Sequence, residues 1–394
     1  SEIEGWSYEF WDEMNRKRLV NTSEIHLNST ENLILPFDSK IIFGIYNSNI
    51  SQIDTASGWL FDGNVTDLNS NFKIKNYAYY GNINSQILKN LELDLSTRIE
   101  NYRINYFADG ENWGYPINVV DTNKTDNFFG LNFSLKYQFN KNLSIYNSIY
   151  KGYKAGGINQ DPSLNEFSRF YYPEYNINYE IGGRLSWKNL NVNFALFIMN
   201  RSDLQVQISN QQDKSNPNSF TYYTSNASSG KNSGFEIESS FNITSDFRIN
   251  YSLGLLNTFV ENFLYPISMD TIGTLIYENN GNRELAMAPK LNSSFNIQYT
   301  HNSGLFIEGN ISYKDKYYFS DSHNQMSKKY SLLNLNFGYR KNKFTISLWG
   351  KNITDERYAV RGFYFGLEPP NYEDKLYLSY GNPKEIGIKM SYQF

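Results

Sequence analysis

The residues most open to a chemical reading are three histidines, His26, His301 and His323. None stands at a metal-ligand spacing from another. His323 follows Asp321 and Ser322, so the ingredients of Ser–His–acid chemistry sit side by side. Neighbours in sequence do not make a triad, which is recognised by geometry and roles, and a solvated external loop is the reading that these three residues favour. Gly152, Gly156 and Gly157 could be read as a phosphate cradle, but the Lys-Ser/Thr that opens a P-loop helix does not follow them. A bend or bulge at a strand end explains them instead. The acidic pairs Glu236/Glu238 and Asp355-Glu356 read as rim or lumen charges. These groups give no catalytic residue, no metal ligand and no cofactor.

A second set of side chains is suited to binding rather than catalysis. Phe220, Tyr222 and Tyr223 with Asn218, then Tyr317, Tyr318 and Phe319, then Phe363, Tyr364, Phe365 and Tyr372 cluster in long irregular stretches. Such side chains stack on rings or sugars and hydrogen-bond hydroxyl groups. We take Phe220, Tyr222, Tyr223, Tyr318, His323, Phe363, Tyr364 and Tyr372 as ligand-contact candidates. Rim aromatics with no ligand are the alternative reading.

The elements that must position them show in the alternation. Ile386, Ile388, Met390, Tyr392 and Phe394 fall on one face; Glu385, Gly387, Lys389, Ser391 and Gln393 fall on the other. Leu333 to Tyr339, Leu91 to Leu95, Ile249 to Leu255 and Leu131 to Phe139 repeat the pattern. Period two is the strand period. Short polar turns occur at Lys89-Asn90, Asn140-Lys141-Asn142, Lys188-Asn189, Thr244-Ser245-Asp246, Asn302-Ser303 and Lys341-Asn342. They alternate with long stretches at 107–125, 156–173, 210–231, 263–290, 320–331 and 362–383. One rim of the sheet therefore has tight turns and the other long loops, as in outer-membrane barrels.

Composition agrees. The 394 residues include 33 Tyr, 28 Phe and 6 Trp, with 40% hydrophobic residues and no cysteine. Mean hydropathy is nevertheless −0.57. No apolar run is long enough for a membrane helix. A barrel reconciles these facts, because only one face of each strand meets lipid while every backbone group is paired. Trp187, Trp349, Tyr137, Phe139, Tyr339 and Tyr392 suit the membrane boundary. Lack of cysteine excludes a disulfide framework and a thiolate metal site. A net charge of −4 speaks against a nucleic-acid partner. The chain opens at Ser1 without a leader-like segment.

The pattern predicts one all-β domain over 1–394, an antiparallel transmembrane β-barrel of about sixteen strands. Their approximate spans are 5–13, 18–29, 39–51, 70–87, 91–107, 125–139, 143–156, 173–187, 190–208, 231–243, 247–263, 290–300, 304–320, 331–340, 344–361 and 383–394. Several exceed the roughly nine to eleven residues that cross a tilted membrane, so the excess projects on the loop side. Phe394 ends on the short-turn side, which is periplasmic in this reading. A propeller lacks a supporting repeat, and a sandwich would not sort its connections by length.

Several stretches together resemble the C-terminal barrel of the TonB-dependent outer-membrane receptors. The run Tyr150-Lys151-Gly152-Tyr153-Lys154-Ala155-Gly156-Gly157 is followed by Pro173-Glu174 and Tyr179-Glu180-Ile181-Gly182. Then come Asp203-Leu204-Gln205-Val206-Gln207, Asn226-Ala227, Gly234-Phe235-Glu236-Ile237-Glu238, Gly281-Asn282-Arg283 and Ala288-Pro289-Lys290. Trp349-Gly350-Lys351-Asn352-Ile353-Thr354-Asp355-Glu356-Arg357-Tyr358 and the terminal aromatic Phe394 close the series. A looser match, Asn76-Tyr77-Ala78-Tyr79-Tyr80-Gly81, carries the resemblance over most of the chain.

The resemblance implies a bacterial outer-membrane importer of a scarce nutrient, with a siderophore–iron complex first and cobalamin or a glycan after it. It implies a plug domain, a TonB box contacting the TonB complex, and a twenty-two-stranded barrel. No plug-like segment is legible here and about six strands are lacking, so the chain is expected to be the later part of a longer receptor. Outer-membrane lipid and the barrel-assembly machinery are the other implied partners. Ile388, Met390, Tyr392 and Phe394 would be the assembly signal. A passive porin-like channel is the rival reading, and an outer-membrane barrel hydrolase ranks last.

Overall fold

A computed structural model describes residues 11–394 other than 31–32, 35–36, 62, 163, 165, 212–219, 270–274, 280, 322, 366–372 and 374; at 33–34, 209–211, 220–221, 265–269, 275, 278 and 365 it describes the backbone alone. Among the described residues seventeen strands pair into one sheet, two of them only two residues long. The long strands are β1 Asp12–Asn28, β2 Asp38–Leu60, β3 Val65–Leu88, β4 Leu91–Asn112 and β5 Val120–Asn140. They continue as β6 Leu143–Lys154, β7 Glu174–Trp187, β8 Leu190–Gln211, β9 Phe220–Asn242 and β10 Phe247–Val260. The last are β11 Leu291–Thr300, β12 Leu305–Lys314, β13 Tyr330–Lys341, β14 Phe344–Lys351 and β15 Glu385–Tyr392. Each pairs antiparallel with the next. The expected all-β meander is the wall of a barrel. The expected strand at 5–13 lies mostly outside the described residues, and its last two residues belong to β1.

Local chemistry makes the short turns. Lys188 and Asn342 take φ of 49° and 52° at the tips of two-residue connections, and Gly304 takes 97°. Such turns need positive φ to match the strand twist. Asn140 Oδ1 accepts hydrogen bonds from the Asn142 and Leu143 amides, and Thr244 Oγ1 accepts from Asp246 and Phe247. Side chains of this kind replace backbone partners in turns.

The outward face is apolar. Ile198, Leu196, Ile181, Phe337, Leu348, Ile386 and Ile388 are among the exposed large side chains; Ile181, Phe337, Leu348, Ile386 and Ile388 each stand one residue out of step with a polar neighbour, whereas Leu196 and Ile198 flank Phe197. The inward face is an amide and carboxylate ladder. Asn82 Nδ2 donates to Asp94 (3.0 Å) and Ser96 (2.8 Å), and Asn132 reaches Asp94 from the other side. Asn84 and Lys136 meet on Glu92. Further round, Asn310 donates to Ser294 and Asn336 to Glu308. Polar groups paired this way do not compete with the sheet for donors.

Two features differ from the sequence reading. The long stretches are more ordered than expected: β4 and β5 stay paired as far as Ala108 and Val120, β4 runs on against β3 to Glu111, and β8 and β9 extend to Gln211 and back to Phe220. Separate hairpins form at Leu264–Met269 with Leu275–Asn279, and at Ala359–Phe365 with Lys375–Tyr380. On β5 the inward positions run Val120, Thr122 and Lys124, mixing apolar with polar residues, which blurs the period-two signature. Trp349 is the second. Leu348 lies outward, so Trp349 points inward, where its ring covers the face of Gly387 on β15. A Cβ on Gly387 would stand 2.5 Å from that ring.

Candidate functional site

The long-loop rim holds most of the tightly buried apolar side chains. Ala56, Leu60, Val65, Leu68, Ile104, Tyr106, Ala108, Val120 and Ile158 form one cluster. Leu164, Leu204, Val206, Ile208, Tyr223, Ala227, Val260 and Phe263 form a second. Both take residues from strand ends and from the connection between β6 and β7, which folds over the mouth. Asp203, at φ 53°, marks the change on β8: Arg201 points in below it, and Leu204, Val206 and Ile208 point in above it.

The β6–β7 connection is strapped down by named bonds. Gly157-Ile158 pairs with Phe170-Tyr171, and a one-turn helix spans Glu166–Arg169. Arg169 is buried and donates to the carbonyls of Asp161, Pro162 and Leu164. Tyr106 Oη donates to Gln160 O at 2.6 Å, and Asn159 exchanges hydrogen bonds with the Thr224 backbone. Lys124 Nζ donates to Tyr171 O at 2.6 Å and lies 3.5 Å from Asp126. Burial pulls the Lys124 ammonium below its ordinary range despite that carboxylate. Burial pushes the phenols of Tyr106, Tyr171 and Tyr223 up. Gly156 and Gly157 are needed for close approach: a Cβ on Gly156 would meet Lys124 Nζ at 2.4 Å and one on Gly157 the Tyr171 hydroxyl at 2.1 Å. That settles the glycine run as packing, not as a phosphate cradle.

The quoted motif residues are mostly clasps. Glu174 is buried, pairs with Arg201 Nε at 2.7 Å and accepts the Gln205 amide at 3.0 Å. The Gln205 side chain donates to Ala155 O and Tyr172 O. Asn226 accepts the Tyr172 amide and donates to Asp203 O. Asn352 Nδ2 donates to Glu356 O and Asn382 O, and its Oδ1 accepts the Glu356 amide. Arg283 donates to Ser320 O, His323 O and Asn324 Oδ1, with its guanidinium 4.5 Å over the Tyr318 ring. Loop motifs that read as signatures are thus the side chains that hold loops to the rim.

The ligand-contact candidates separate into groups. His323 and Tyr364 come together, their rings edge to face at 5.2 Å with Gln325 bonded to both, and Tyr318 joins them through Arg283, which lies over its ring and donates to His323 O. Phe363 is 40% exposed and stacks on Tyr377. Tyr222 is 58% exposed on β9, whereas its neighbour Tyr223 is 8% exposed within the second cluster. The Phe220 side chain, Tyr372 and Asn218 lie outside the described residues, as does Ser322 of the considered triad. Asp321 Oδ1 accepts the Ala286 amide, and His323 Nδ1 accepts the Gln325 amide. Sequence reasoning missed Arg283, Lys124 and the strap at 158–171. Only Asn282-Arg283 within a quoted motif pointed at one of them. Among the described residues no group of three or more metal-ligating side chains converges.

Comparison with known proteins gives the wider setting. The family model described as TonB dependent receptor-like, beta-barrel, matches residues 7–353. The ferric yersiniabactin uptake receptor FyuA of Yersinia pestis superposes with a TM-score of 0.77 at 15% identity, over 97% of this chain and 55% of that one. The siderophore receptor PiuA of Acinetobacter baumannii gives 0.71 at 16% identity, over 96% and 56%. The copper transporter OprC gives 0.71 at 11% identity, over 97% and 58%. The chain spans a little over half the length of these structures. At such identities the superpositions establish the fold.

Proposed function

This chain belongs to the TonB-dependent receptor-like β-barrel family, and on that premise we propose that it forms barrel wall and mouth of an active importer in a bacterial outer membrane. The observation that carries the reading is the pairing of an apolar outer face with a polar lumen under a crown of strapped loops. Loops held by a rigid scaffold are where binding residues gather. The single domain spans 1–394, and Phe394 stands on the periplasmic side with the long loops outside. The substrate is a scarce nutrient, with a siderophore–iron complex first, since FyuA is named as a ferric yersiniabactin uptake receptor and PiuA as a siderophore receptor. Cobalamin and glycans come after it.

Tyr222, Phe363, Tyr364, Tyr318 and His323 would contact the substrate from the mouth, together with Phe220 and Tyr372. Tyr223 would support them from beneath, because its ring is packed among Leu204, Val206 and Ile208. A plug enclosed by the polar wall would be rearranged by TonB, using energy from the inner membrane. The outward residues Ile388, Met390, Tyr392 and Phe394 would be read by the assembly machinery as an edge strand. No step here is enzymatic.

The test is radio-iron uptake from ferric siderophores in cells with and without TonB, together with binding to the purified intact receptor followed by intrinsic fluorescence. Uptake is expected only with TonB, and Tyr364→Ala is expected to weaken binding. Uptake that persists without TonB would replace this reading with a passive channel.

A further inference from the structure

The short-turn rim carries a ring of charge that neither import nor the strapped mouth uses. Four of its hairpin tips are basic: Lys89 between β3 and β4, Lys141 between β5 and β6, Lys188 between β7 and β8, and Lys341 with Lys343 between β13 and β14. All five ammonium-bearing side chains are exposed. The two other hairpins on this rim carry Asp246 and His301, and the β1–β2 connection carries Glu31 in its sequence and leads into Asp38 and Lys40 at the start of β2. The hairpin tips are therefore strongly biased toward positive charge, in a chain whose net charge is −4.

Each basic tip sits beside an outward apolar residue at the end of its strand. Leu88 is 63% exposed before Lys89, Phe139 precedes Lys141, Trp187 precedes Lys188, and Phe344 follows Lys343. Tyr137 packs edge to face on Phe139 at 4.7 Å, and Tyr392 on Phe394 at 5.4 Å, which continues the girdle to the last strand. Lys188 Nζ lies 5.1 Å over the Trp187 ring. Amphipathic aromatic rings settle at headgroup depth, and a lysine next to such a ring keeps its stem on the apolar surface with its charge at the polar boundary. The girdle thus fixes the height of the lysines at the headgroup plane of one leaflet.

We propose that this rim binds the anionic phospholipid headgroups of the leaflet it faces, through Lys89, Lys141, Lys188, Lys341 and Lys343. The outward aromatic girdle supplies acyl-chain contact and the lysines supply the selectivity. The ligand is the phosphate diester of an anionic lipid such as phosphatidylglycerol; an acidic protein face is the competing occupant. A lysine near such a surface favours an anionic over a zwitterionic neighbour by roughly five-fold before screening, and the effect decays within a Debye length. The inference rests on the membrane-spanning reading of the outward face and not on any transported substrate.

The test reconstitutes the intact protein in phosphatidylcholine bilayers carrying a trace of spin-labelled phosphatidylglycerol or spin-labelled phosphatidylcholine. The motionally restricted lipid at the protein surface is then compared. Phosphatidylglycerol is expected to be enriched several-fold over phosphatidylcholine, and high salt is expected to remove most of that preference. The combined variant K89Q/K141Q/K188Q/K341Q/K343Q is expected to bring the ratio near one, while K328Q/K329Q on the long-loop side leaves it unchanged. If the combined variant does not refold, K188Q alone and the salt series on the unaltered protein still decide. No preference in the unaltered protein, a preference indifferent to salt, or equal loss in the loop-side control overturns the proposal. An acidic protein held at this rim with no lipid preference would overturn it as well. Failure of iron uptake would leave these readings untouched, so the two proposals fail separately.

Discussion

The same strands build two different interiors. Along β4 the inward residues near the short turns are Glu92, Asp94, Ser96, Arg98 and Glu100; beyond Tyr102 they are Ile104, Tyr106 and Ala108. Along β8 the inward series Asn191, Asn193, Ala195, Phe197, Met199 and Arg201 mixes polar and apolar residues, and past Asp203 it becomes wholly apolar at Leu204, Val206 and Ile208. The lower half has lipid outside and a wet lumen inside, so its apolar side chains point out. The upper half has water outside, so its apolar side chains turn in and recruit the β6–β7 connection as their covering layer. Where a sheet puts its hydrophobic face depends on what lies on each side of it, and here that changes within one strand.

Removing the charge that secures the boundary between the halves has the largest expected effect. Arg201→Ala leaves Glu174 buried without its ion-pair partner, which costs about 3–5 kcal/mol. The crown should become sensitive to limited proteolysis at 155–173 while the barrel keeps its resistance to unfolding in detergent. Equal loss in both halves would mean that they do not behave as separate layers.

A paired substitution separates the two kinds of apolar residue next. Leu204→Ala opens a cavity in the upper core and is expected to cost about 2–5 kcal/mol, again confined to the crown. Ile198→Arg places a charge on the lipid-facing side of the same strand and is expected to cost about 2–4 kcal/mol of folding into bilayers at membrane mid-depth. The arginine variant should be tolerated in the crown assay. The alanine variant should be tolerated in bilayer refolding yields.

The smallest effect is alkaline. Tyr330 is pushed up to about 12, first by burial and then by the neighbouring Tyr317 and Tyr358. Burial also raises Tyr106 and Tyr223. Because the folded values lie above the unfolded one near 10, their stabilisation is complete below pH 10. It is lost as pH rises from there through the folded values. Tyrosinate absorbance should show a late-titrating group of phenols that shifts to ordinary values once the crown is opened by Arg201→Ala. A single ordinary titration in the intact protein would remove the distinction.

Much of the architecture was legible from residues alone. Alternation at 91–95, 131–139, 249–255 and 386–394 located strands and their outward faces, because a half-buried strand must repeat every second residue. Short turns were legible from Lys188-Asn189 and Asn140-Lys141-Asn142, whose side chains and backbone suit tight connections. The crown was not. Its ladder at 120–125 faces Val120, Thr122 and Lys124 inward, so apolar and polar residues share one face and the alternation is blurred.

The candidate site divides the same way. Aromatic loop residues announced themselves by type, yet nothing local distinguishes buried Tyr223 from exposed Tyr222. Trp349 looked like a girdle residue until its register with Gly387 turned it inward. What the sequence by itself determined was the period, the turns and the side of each strand that meets hydrocarbon, all of which depend on near neighbours. Tertiary structure alone decided the level at which the interior changes from polar to apolar. It also decided which motif side chains clasp the loops. Both depend on contacts such as Glu174 with Arg201 and Lys124 with Tyr171, between residues 27 and 47 positions apart.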